Sequence, residues 1–129
     1  MNVKIDTKEK FSVITPGDKQ LPANMTEEFS NLLHEQINKE TPHLVINMLN
    51  VEDADETFLQ KMAGLQQQFY EQNVSCVICE LTETIAAKLD KLELLEFMNV
   101  TPTESEAWDI VQMEEIEREL LNDFDEEAG

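Results

Sequence analysis

Three groups of side chains in this sequence could carry chemistry. The first is Asp55-Glu56-Thr57, two carboxylates and a hydroxyl in a row, preceded by Asn50, Glu52 and Asp53. Oxygen-bearing side chains in this density suit the start of a helix, where they accept bonds from backbone N–H groups that lack a helical partner. The helix dipole favours acids there by about 0.3–1 kcal/mol each. The second is Cys76 and Cys79, whose C-x-x-C spacing matches redox pairs and half of a zinc site. They lie within V-S-C-V-I-C-E-L, a strand-like run in which residues three apart point to opposite faces. No second Cys/His pair completes a metal site, so two reduced core thiols are expected. The third is His34 and His43, far apart and without a nucleophile or carboxylate at motif spacing; ordinary surface or boundary histidines fit them. Gly17, Gly64 and Gly129 are isolated and form no phosphate loop. We expect no catalytic residues, no metal and no cofactor.

The elements that must position Asp55-Glu56-Thr57 can be read on either side of it. Leu44 to Leu49 is a short apolar run rich in β-branched residues, as expected of a strand buried on both faces. Phe58, Leu59, Met62, Leu65 and Phe69 recur at helical spacing after it. A strand end, an acidic turn and a helix start therefore meet at Asp55, and in open α/β sheets function gathers at such strand ends. Upstream, Val3 and Ile5 alternate with polar residues and Phe11, Val13 and Ile14 follow, predicting a hairpin. Asn24 and Glu27 stand as a capping box before a helix carrying Met25, Phe29, Leu32, Leu33 and Ile37, ended by Thr41-Pro42. Downstream, Asn73 closes the second helix, Val74 to Leu81 is a buried strand, and Thr82 caps a third helix with Ile85, Leu89 and Leu92. Phe97, Met98 and Val100 predict a last short strand. Thr103 and Glu106 form a capping box for a final helix with Ala107, Ile110, Val111 and Leu121 on one side. The order is β-β-α-β-α-β-α-β-α, an α/β class with a mainly parallel sheet.

This order and the stretch around Asp55 resemble STAS domains (sulphate transporter and anti-sigma factor antagonist). In that family a strand is followed by Asp-Ser-Ser/Thr-Gly-Leu at a helix start. Asp55 takes the Asp and Glu56 the first Ser, while Thr57 falls on the hydroxyl that switch kinases phosphorylate. Leu59 keeps the apolar position and Phe58 replaces the Gly. Thr103 to Ala107, T-E-S-E-A, is similar to the family's last helix start. The resemblance runs over roughly residues 3 to 121. It implies a STAS-like fold, with helices packed against the sheet. It also implies a partner-binding site at Asp55, Glu56, Thr57 and Phe58, a phosphoacceptor at Thr57, and an anti-sigma factor or kinase-like partner. Glu56 places a permanent charge beside that acceptor: either the partner tolerates it, or the phospho-switch has decayed and a binding surface remains.

Length and charge bound the rest. The 129 residues fit one domain, 1–129, and 41% hydrophobic content supports a buried core. Nine basic residues against 28 acids give a formal net charge of −19, which excludes sequence-independent nucleic-acid binding and disfavours anionic membrane surfaces. No apolar run spans a bilayer and the start is unlike a signal peptide, so a cytoplasmic protein is expected. From about residue 103 the chain holds eleven acids against Arg118 alone. Within that segment Met113, Ile116, Leu120 and Phe124 form a second apolar stripe, which needs another surface to cover it: a homodimer contact, a partner groove or the domain itself. The expected function is non-enzymatic signalling by protein binding, in the manner of an anti-sigma factor antagonist. The alternative is a STAS-like accessory subunit of a membrane transport (lipid-trafficking) complex.

Overall fold

The computed structural model describes residues 1–128, with side chains described to residue 122. The N-terminal alternation folds as the expected hairpin. β1 (Val3–Thr7) runs antiparallel to β2 (Ser12–Pro16), with Val3 opposite Pro16 and Thr7 opposite Ser12. The Lys8 N–H donates to the Phe11 carbonyl at 2.8 Å and closes the turn. From β2 the sheet continues in parallel through β4 (Leu44–Asn47), β6 (Cys76–Cys79) and β7 (Val100–Thr101), in the order β1-β2-β4-β6-β7. β4 is the middle strand, and every residue of β4 and β6 is buried, as a strand covered on both faces must be.

Alternate side chains of these strands enter two separate apolar layers. Ile14, Leu44, Ile46, Cys76 and Ile78 face a layer closed by α1 (Thr26–Ile37), α2 (Glu56–Glu71) and α3 (Glu83–Lys91). Val13, Val45, Val77 and Cys79 face the other layer, where Phe11 meets Ala107 and Val111 of α4 (Glu104–Ala128). The two cysteines thus point to opposite sides of β6, unpaired and buried, and burial pushes both thiols up to about 12. That is far from the thiolate a redox pair requires.

Several boundaries differ from the sequence reading. The central strand stops at Asn47, and Leu49 is 63% exposed rather than buried, because the Asn47 side chain accepts the Leu49 N–H at 2.9 Å and turns the chain out of the sheet. Asn24 caps nothing. Pro22 leads into a 3₁₀ turn at Ala23–Met25 that runs directly into α1, leaving no extended residue there to serve as a cap. α1 ends at Ile37, before Thr41-Pro42. Phe97 lies in a second 3₁₀ turn, Leu95–Phe97, and Met98 also stands outside the last strand. Two short strands had no periodicity to announce them: β3 (Gln20–Leu21) pairs in parallel with β5 (Asp53–Ala54) as a separate ribbon. Asn73 ends α2 in the left-handed region at φ 65°, as its residue type suggested, and Glu80 adopts φ 60° directly after β6. Among the described residues no helix is long and apolar enough to cross a membrane.

Candidate functional site

Asp55 is the N-cap of α2. Its backbone is extended (φ −67°, ψ 148°) and its carboxylate accepts the Thr57 N–H at 2.8 Å. The Asp55 carbonyl takes the Leu59 N–H at 3.0 Å to start the helix, and the Asp55 N–H donates to the Leu21 carbonyl of β3 at 2.9 Å. The small ribbon missed in the sequence therefore holds the cap in place. Asp55, Glu56 and Thr57 are all exposed, so the site is an acidic helix start open to solvent.

Two neighbours brace this turn. Lys88 of α3 bonds the Asp53 carboxylate at 2.7 Å and the Ala54 carbonyl at 3.0 Å, while Asp53 also accepts the Ala54 N–H at 2.8 Å. The lysine hydrogen bond holds the Asp53 carboxyl below its usual range. Both side chains are about a third exposed, so the pair contributes only about 0.2–1 kcal/mol; its larger effect is to tie α3 to the turn before α2. Thr82, the cap of α3, donates its hydroxyl to the Glu52 carbonyl at 3.1 Å and accepts the Ile85 N–H at 3.3 Å. On the other side of β4, the Asn47 amide donates to Glu104 at 3.1 Å, so the start of α4 lies at the same strand ends.

Phe58 departs from the expected partner-binding set. It is 1% exposed and packs on Phe29 with ring centroids 4.9 Å apart. A residue at the third position of this helix turns toward the sheet, so Phe58 anchors the helix start and offers no surface to a partner. Lys88 is the neighbour that sequence reasoning did not assign here. A lysine 33 residues from Asp55 leaves no local signal. The second expected surface is elsewhere. Met113, Ile116 and Leu120 are exposed along α4 and have not folded back onto the domain. Leu121, expected on the inner side with Val111, is exposed too, because α4 runs on past the sheet. Phe124 lies outside the described side chains. Among the described residues no group of three or more His, Cys, Asp or Glu could hold a metal ion.

The STAS domain family model matches residues 2–107. The chain belongs to the STAS domain family. Solved structures repeat the fold. A putative anti-sigma factor antagonist from Thermotoga maritima is 17% identical, with a TM-score of 0.75 over 85% of this chain and 94% of that one. A STAS domain protein from Planctomyces limnophilus is 16% identical, with a TM-score of 0.74 over 87% and 99%. The Bacillus cell fate determinant SpoIIAA, solved in its phosphorylated form, is 15% identical, with a TM-score of 0.61 over 84% and 98%. At such identities the likeness carries the fold. The sequence matches no curated protein. The STAS match ends at Ala107, the first buried residue of α4, so most of α4 extends beyond it.

Proposed function

We propose that this STAS domain works by binding a protein, an anti-sigma factor or switch kinase, through the surface at Asp55, Glu56 and Thr57, and that phosphorylation of Thr57 weakens that binding. The reading rests on one observation above others. Thr57 is exposed in the first turn of a capped helix, and the resemblance to STAS switches lays it on their phosphoacceptor position. The partner and this domain meet in the cytoplasm, and the domain itself performs no chemistry.

Electrostatics make such a switch workable. A phosphate on Thr57 adds about −1.5 to −2 charges beside Asp55 and Glu56. At ~4 Å and an effective dielectric near 20, each like pair costs about 4 kcal/mol, and much less where water screens it. The N-terminal end of α2 offsets part of this. The net repulsion alters affinity without preventing the modification.

The test is titration of the partner captured from the source cell with wild type, Thr57→Ala and Thr57→Glu. Thr57→Ala should bind nearly as wild type. Thr57→Glu should bind about tenfold more weakly at low salt, ~1.4 kcal/mol, and the gap should narrow as salt rises. Equal affinities for all three would reduce Thr57 to a helix-start residue.

A further inference from the structure

β7 is only two residues long, so the sheet ends early beside β6, and a side chain takes over the work of the missing ladder. The Gln66 amide of α2 donates to the Cys76 carbonyl at 2.6 Å and the Asn99 carbonyl at 2.7 Å, and accepts the Asn99 N–H at 2.9 Å. Beyond this bridge the two helical layers part, leaving a groove of about 470 Å³ between α2, the segment before β7, and α4. Its apolar walls are Tyr70, Phe97, Met98, Ile110 and Met113. Phe97 is 78% exposed, and Tyr70 and Met113 are more than half exposed, an unusual cluster of large apolar side chains to leave in water. Ile116 and Leu120 continue the same exposed face along α4.

Charge selects the occupant. Glu96, Glu114 and Glu117 line the groove, and among the described residues no lysine or arginine does. One Glu114 oxygen takes the Asn99 amide at 3.3 Å, while the other is shielded and has no partner among the described residues. The guanidinium of Arg118 lies over the Tyr70 ring, 5.7 Å from its centroid. A second copy of this chain would bring Glu114, Glu115, Glu117 and Glu119 against the same residues of the first, and an anionic lipid surface would repel them equally. A basic partner turns each of those acids into an attraction. We propose that this groove is a second docking surface, and that its occupant is a cationic amphipathic helix of another protein, its apolar face on Phe97, Met113 and Ile116 and its basic flanks on the glutamates. The groove lies at the starts of the parallel strands, whereas Thr57 lies beyond their ends, so both surfaces can be occupied at once.

The proposal is tested with a fluorescein-labelled helical peptide of about 18 residues, leucine on one face and lysine on the other, titrated by anisotropy at about 0.1 M salt. A peptide with glutamate in place of lysine is run beside it. The Leu/Lys peptide should bind and the Leu/Glu peptide should not. The double variant Phe97→Ser/Met113→Ser leaves the net charge unchanged and alters only exposed positions. It should bind the Leu/Lys peptide about tenfold more weakly, with its circular dichroism unaltered. Ile5→Ser, an exposed apolar loss on the far edge strand, should leave the affinity unchanged. Equal binding by the double variant would mean that bulk attraction to an acidic protein suffices, and would overturn the proposal. So would binding of the Leu/Glu peptide, or a dimer in light scattering that Ile116→Asp dissolves, since a second copy would then own this face.

Discussion

At the level of single residues, His43 separates residue type from residue role. Its sequence position suggested a surface or boundary histidine, yet it is buried beside the starts of β4 and β6. The Ser75 N–H donates to its Nδ1 at 3.0 Å, which places the ring proton of the neutral form on Nε2. Burial, and then the charge of Arg118, lower its pKa from the ordinary 6.5. The unfolded chain therefore binds this proton more readily than the folded one does. Stability should fall as pH drops below about 6.5 and continue falling until the folded value is passed. His43→Asn removes the titration, so urea midpoints across pH 7 to 5 should decline less steeply for the variant than for wild type. Thr57 is the opposite kind of residue. Its exposure follows directly from its place in the first turn of a capped helix, and the titration with Thr57→Glu reads that exposure as a change in affinity.

At the level of elements, α2 does more than bury the stripe of Phe58, Leu59, Met62, Leu65 and Phe69 that its periodicity announces. Gln66, on the same buried side, supplies the hydrogen bonds that the short β7 cannot. Gln66→Leu keeps the approximate volume but takes away the partner of the Cys76 carbonyl and of the Asn99 N–H, while the Asn99 carbonyl keeps the Ile78 N–H, and should lower stability by about 1–3 kcal/mol in chemical denaturation. No loss would mean that water replaces the amide. Gly64, two residues earlier, has open space where a Cβ would stand. Gly64→Ala should therefore stabilise by ~0.5–1 kcal/mol, through helix propensity alone. A decrease would imply that the exposed face of α2 is already in contact with something.

At the level of the whole molecule, a formal charge of −19 on 129 residues works against the compact state. Raising salt from about 0.01 M to 0.15 M shortens the screening length from about 30 Å to about 8 Å. The melting temperature should rise; a relief of ~1 kcal/mol corresponds to about 4 °C for a chain of this size. A fall would mean that local pairs such as Asp53–Lys88 outweigh the global repulsion. The same field bears on association, since it opposes pairing of two α4 stripes and favours basic partners.

The sequence by itself determined the α/β class, the parallel core strands, the hairpin, the opposed cysteines and the capped start of α2. Each of these depends on a local pattern: a period of two or 3.6, a β-branched run, or a cap residue before an apolar stripe. Asn73 and Thr82 were legible for the same reason, because their roles lie within one turn of backbone. Tertiary structure alone decided the rest. The ribbon of β3 and β5 comprises two residues on each side, too few for any period, and exists because the Leu21 carbonyl meets the Asp55 N–H. The Asp53–Lys88 brace and the Gln66 bridge join residues 35 and 33 positions apart in the case of Lys88 with Asp53 and Gln66 with Asn99. Phe58 could be placed on a helix from sequence, but whether it faced a partner or the core was settled by where Phe29 stands. The groove beside β6 had no signal beyond Met113 in the second stripe of α4, because it is made by the early end of a strand between α2 and α4.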